Sequence, residues 1–174
     1  MRCCPSRLNR IEGKMANRVT NDAAKVFRSE CRNLPKYEKK LAVLKQDLQV
    51  VEAQMVNLHS PNLDMPTTTT IVLDDRIIRN MDEKDRIVRK INLIRDMTSW
   101  ITECIGRLPD PSYKLFVSMI YLEGKRLGTV AVKAGVSEVR MALTITKLLN
   151  EAITPAMIRK HDRIRRSLEE SGLI

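Results

Sequence analysis

Aromatic residues are nearly missing from this chain. Of its 174 residues only one is Trp, three are Tyr and two are Phe. Proteins that read RNA or single strands stack bases on aromatic platforms, which this sequence does not supply. A β-sandwich core is disfavoured by the same shortage. The hydrophobic 43% of the chain must be aliphatic and methionine-rich, with nine Met, a composition suited to helix packing.

Glycine is scarce at six residues, and no Gly-rich phosphate loop occurs. His59 and His161 stand far apart with no evident partners. Cys3, Cys4, Cys31 and Cys104 show no C-x-x-C spacing. No zinc set can be drawn from these residues, and reduced cysteines in a cytoplasmic protein are the expectation. No Ser-His-Asp, Cys-His or metal–carboxylate constellation stands out. An enzyme is therefore not expected, and no catalytic residue, cofactor or metal is assigned. No apolar run is long enough to span a bilayer and no signal peptide is visible, so no membrane partner is expected. The opening MRCCPSRLNRIEGK is unlike the rest, and Met15 offers an alternative start.

Positive charge is what the chain has in excess. Its 31 Lys and Arg outnumber 21 Asp and Glu, for a net charge of +10. Nucleic acid is the commonest acidic partner, and duplex DNA requires no aromatic platform.

Apolar periodicity predicts an all-α fold, with long antiparallel helices followed by a C-terminal tri-helical helix-turn-helix unit. Residues 1–34 form an arm with a helix over 16–33, whose modest face is Ala23, Val26 and Phe27, and Pro35 ends it. Over 35–60, Leu41, Leu44, Leu48, Val51, Met55 and Leu58 alternate at spacings of three and four. That seam fits either a homodimer zipper through the 37–58 helix or a helix packed on its own chain. Residues 61–73 are a linker, in which Ile71, Val72 and Leu73 could add a brief strand. Asp74 or Asp75 then caps a long helix over 74–108. Ile87, Ile91, Ile94, Thr98, Ile101, Ile105 and Leu108 make one of its stripes; Leu93, Met97, Trp100 and Cys104 make another. Trp100 is read as a core residue with a satisfied indole.

Within the segment 109–154, the stretch from Arg126 to Leu149 is the most informative. A helix over 113–123 turns Leu115, Met119 and Leu122 one way, with Phe116 and Ile120 beside them. Val130 and Ala131 lie in a short helix, Gly135 can take the left-handed turn after it, and Ser137 can cap the next helix. Met141, Ile145, Leu148 and Ala152 form its inward stripe; Arg140, Thr144, Lys147 and Glu151 form the outward one. Such a unit holds its second helix where it can enter the major groove. Ser137, Glu138, Arg140, Thr144 and Lys147 are the candidate groove residues. Lys125, Arg126 and Lys133 are the candidate backbone contacts. A basic tail over 155–174, with Arg159, Lys160, Arg163, Arg165 and Arg166, would add phosphate contacts.

The stretch from Asp74 to Ile153 resembles the autolysin-regulator (ArpU-like) family of phage late-gene transcriptional regulators. The residues behind it are the DDRI at Asp74, IGRLPDP, and MIYLEGKRLGTVAVKAGVSEVRMAL. The family pattern maps onto Tyr121 and Gly124, then Val130 and Ala131, then Gly135, Val136 and Ser137. Thr129 stands where an acidic residue is common, and Gly128 weakens the start of the first motif helix. The resemblance implies a unit similar to region 4 of bacterial sigma factors. It implies a promoter-binding regulator encoded by phage or prophage, with double-stranded DNA as its partner and host RNA polymerase as a further contact. Two alternatives stand beside it: a small-terminase-like packaging subunit, and a helical adaptor or inhibitor of host RNA polymerase that binds protein only.

Overall fold

The computed structural model describes residues 7–58 and 69–174, with side chains over 23–56 and 75–174. Six helices and the short turns between them make up the described residues, and no strand occurs among them. They are α1 (Arg7–Leu58), α2 (Thr69–Gly106), α3 (Pro111–Tyr121), α4 (Leu127–Lys133), α5 (Glu138–Ala152) and α6 (Pro155–Glu170). The all-α expectation holds.

Several boundaries differ from the expectation: α1 begins at Arg7 rather than at residue 16, and two further differences have a physical reason. Pro35 does not end a helix but lies inside the 52-residue α1. An interior proline removes one backbone bond and crowds the carbonyl four residues back, at a cost of about 3 kcal/mol. Phe27 and Cys31 are buried on one side of it, Tyr37 and Leu44 on the other, and burial on both sides outweighs that cost. Residues 69–73 are the first turn of α2 rather than linker or strand, so Asp74 and Asp75 sit inside the helix rather than at its cap. Extending a helix that already exists is far easier than nucleating one, and the apolar stripe downstream supplies the nucleus. The rest of the expected linker, 61–68, lies outside the described residues.

The chain divides into two compact units. One is formed by the chain up to Leu34 with Thr98–Arg163, the other by Pro35–Met97 with Ile164–Ile174. In the second unit Ile87, Ile91, Ile94 and Met97 of α2 are buried, as are Tyr37 and Leu44 of α1 and Leu168 and Leu173 of the C-terminal segment. Of the α1 seam, Leu44 is buried and Leu41, Leu48, Val51 and Met55 are half-buried within the single chain. The Leu58 side chain lies outside the described residues. Lys84 and Glu52 pair at 2.9 Å, and Lys40 donates to the carbonyl of Leu173.

In the first unit Trp100, Ile101, Cys104 and Ile105 continue the buried side of α2, joined by Leu108 just after it and by Ala23, Ala24 and Phe27 of α1. Asp110 starts α3, its carboxylate accepting the Ser112 N–H at 2.8 Å, with Pro111 in the first helical position. The inward residues of α3 are Val117 and Met119, whereas Leu115 and Leu122 are exposed. An 11-residue helix that is apolar on most sides has no unique stripe, so its neighbours select the face that is sunk.

Candidate nucleic-acid interface

The short α4 packs against both α3 and α5, and its Val130 and Ala131 are buried. Its end is closed by backbone alone. Gly135 has φ +67; its N–H donates to the Val132 carbonyl, and the Val136 N–H donates to the Ala131 carbonyl, both at 3.1 Å. This is the paired closure in which one left-handed residue satisfies two orphan carbonyls. A Cβ at Gly135 would meet nothing within 4 Å, so only conformational strain opposes a side chain there. Gly135→Ala is expected to lower the unfolding free energy by about 1–2 kcal/mol, read as a lower urea midpoint at unchanged slope.

Ser137 caps α5, its Oγ accepting the Arg140 N–H at 3.3 Å, as expected from sequence. A Cβ at Gly128 would lie 3.0 Å from Glu138 Oε2. The missing side chain thus leaves room for that carboxylate over the start of α4.

The inward side of α5 carries Met141, Ile145 and Leu149; Leu148 and Ala152, expected there, are half-buried. The outward side carries Glu138, Arg140, Lys147 and Glu151, all exposed, with Thr144 half-buried. Lys147 and Glu151 approach to 4.0 Å in water, a contact worth roughly 0.3–0.5 kcal/mol. Val139 and Leu143 share the exposed side, which the stripe pattern did not single out.

Sequence reasoning also missed what holds α5 from behind. Arg28 of α1 donates through Nε to the Tyr121 hydroxyl at 2.9 Å, and through Nη2 to the Thr146 hydroxyl. Thr146 in turn donates to the Ala142 carbonyl at 2.7 Å. The Ala24 N–H donates to Asn150 Oδ1 at 2.9 Å. Phe27 meets the Tyr121 ring edge-on at 5.5 Å. Thr146 and Asn150 are one helical turn apart, so α1 grips α5 along one line. Polar residues at such spacing were the available signal.

The remaining candidates are not gathered into one patch. Lys125 is exposed, and its ammonium lies 2.6 Å from the Glu123 carboxylate. Arg126 precedes α4 and Lys133 lies in its last turn, both exposed. The segment expected as a basic tail is the helix α6, sunk along Met157, His161 and Leu168. Its amphipathic spacing, hidden in the sequence by the density of charge, explains why it folds. Arg159, Lys160, Arg163, Arg165 and Arg166 are exposed along it; the last two belong to the second unit. Lys160 binds Glu103 at 3.0 Å, and this hydrogen bond, with help from Arg107, holds the Glu103 carboxyl below its ordinary value. Arg165 donates to Glu169 at 3.2 Å.

His161 corrects the expectation of an isolated histidine. It is buried, with Nε2 3.1 Å from Glu30 Oε1 and Nδ1 3.1 Å from Asp162 Oδ1. The Trp100 ring lies 4.8 Å from it, and the indole N–H donates to the Met157 carbonyl at 2.9 Å. The indole is satisfied, as expected. Cys31 and Cys104 are free and buried; burial, reinforced by Glu30 and Glu103 respectively, pushes each thiol up to about 12. Cys3, Cys4 and His59 lie outside the described residues. Compared with protein-family models, curated proteins and solved structures, the chain matches none.

Proposed function

We propose that the chain is a sequence-specific DNA-binding transcriptional regulator of the ArpU-like kind, encoded by phage or prophage. It uses α4, the Gly135 turn and α5 as a helix-turn-helix, and acts at promoters in the bacterial cytoplasm with host RNA polymerase. The observation that carries this reading is the outward side of α5. Arg140 and Lys147 stand exposed there, while the opposite side is sunk and gripped by α1. A capped helix start after a tight turn is the part of such a unit that meets base edges. Arg140 can take a guanine edge with two hydrogen bonds, and Lys147 supplies charge two turns further. The exposed cations Lys125, Arg126, Lys133, Arg159 and Arg163 suit phosphate oxygens. Among the described residues no helix is long and apolar enough to cross a membrane.

The test is selection of duplexes from a random pool by the full chain, followed by titration of the retained duplexes against scrambled ones. Arg140→Ala is expected to reduce the preference for selected over scrambled duplex by about 10- to 100-fold. Reversing Arg159 and Arg163 to glutamate is expected to weaken both duplexes alike. It should also lower the salt slope by about one per cation removed. Binding indifferent to all three changes removes the reading.

A further inference from the structure

We infer that Val139 and Leu143 are the side chains with which α5 recognises thymine, through the C5-methyl groups that line the major groove. This rests on the duplex-binding reading above.

Val139 is 70% exposed and Leu143 66% exposed. They lie four residues apart, so their side chains meet on one face of α5. Neither fills the core: Met141, Ile145 and Leu149 already do so. Large aliphatic groups in water at the start of a helix gain nothing for folding, which points to a partner that covers them. The surroundings define its chemistry. Arg140 lies between the two in sequence, Lys147 follows Leu143 by one turn, and Lys133 stands at the end of α4, all exposed. A partner that fits must offer small apolar groups set in an anionic frame.

The major groove offers that combination. Its phosphates supply the negative frame, and the thymine methyl is the apolar group on its base edges. The first turns of a groove-bound helix are the part that reaches base edges. Val139 and Leu143 are the second and sixth residues of α5. Arg140 and Lys147 then orient the helix on guanine or phosphate, while the aliphatic pair selects A·T pairs at defined positions.

The experiment uses the full chain and the duplexes it retains from a random pool at low salt. Each retained duplex is made twice, once with thymine and once with uracil, which differs only by the missing methyl. The thymine form is expected to bind about fourfold more tightly for each methyl covered, and on the order of tenfold for two. In the double variant Val139→Ala/Leu143→Ala this difference is expected to vanish. Equal binding of the two forms by the wild-type chain, with Arg140→Ala still weakening both, overturns the assignment but leaves duplex recognition standing. It then gives the aliphatic pair to a protein partner. Failure to retain any duplex at low salt overturns both.

Discussion

Replacing His161 with leucine is expected to lower the unfolding free energy by about 3–5 kcal/mol and to flatten its dependence on pH. The imidazole is buried between α1 and α2 residues, hydrogen-bonded to Glu30 and packed at a 45° tilt against the Trp100 ring. Leucine keeps the volume but takes from the buried Glu30 carboxyl its imidazole partner, and a buried charge that loses a partner is costly. The pH signature is separate. Burial by itself pushes the imidazole toward its neutral form, but hydrogen bonds to the Glu30 and Asp162 carboxylates outweigh it and hold His161 above its ordinary value. A histidine raised in the folded state binds its proton more tightly there than when unfolded. Its contribution is therefore complete below the ordinary histidine value of about 6.5. It is lost as pH climbs from there through the raised native value. Urea unfolding from pH 5.5 to 8.5 reads this directly. The wild-type chain should lose stability across that window, and His161→Leu should not show that loss. The double variant Glu30→Leu/His161→Leu is expected to recover much of the deficit, since an apolar pair of similar size needs no proton. An identical pH slope in wild type and His161→Leu would show that the pair does not titrate as described.

Trp100→Ala is expected to cost about 3–5 kcal/mol, equivalent to roughly 10 °C in Tm for a chain of this size. Trp100 is fully buried, and its removal opens a cavity beside His161 while leaving the Met157 carbonyl without its indole donor. Trp100→Phe separates the two effects. It retains most of the packing and is expected to cost about 1–2 kcal/mol, the loss of the indole's buried hydrogen bond to a carbonyl that keeps its place in the α6 ladder. Because Trp100 and His161 touch, their losses should not add: the Trp100→Ala/His161→Leu chain should be less destabilised than the sum of the single variants. Far-UV circular dichroism measures all four chains without relying on the fluorophore that is removed. Strict additivity would argue that the two rings are energetically independent.

What the sequence disclosed follows from how local each determinant is. The buried side of α2 was legible because Ile87, Ile91, Ile94, Ile101 and Ile105 repeat at the helical period over many turns. The Ser137 cap and the Gly135 turn were legible because a few adjacent residues fix each of them. The exposure of Arg140 and Lys147 followed from the same period. Pro35 misled because a local rule met burial on both sides of it, and the rule carries the smaller energy. Leu149 displaced Leu148 because a spacing of three or four is equally helical, so contacts decide. The Glu30–His161 pair and the Arg28 grip on Tyr121 and Thr146 could not be read. Their partners are 131, 93 and 118 residues apart; the polar Thr146 and Asn150 one turn apart hint that something binds there, but nothing local says what they meet.

The helix α5 keeps its anchoring and its display on different side chains. Met141, Ile145, Leu149, Thr146 and Asn150 fasten it, and the turn before it is tied by main-chain atoms. Residues at 139, 140, 143 and 147 take no part in that fastening, so replacing them should shift folding by no more than about 0.5 kcal/mol each. The scaffold can therefore stay constant while its outer side chains change, and a lineage could alter that side of α5 without first having to restabilise the fold.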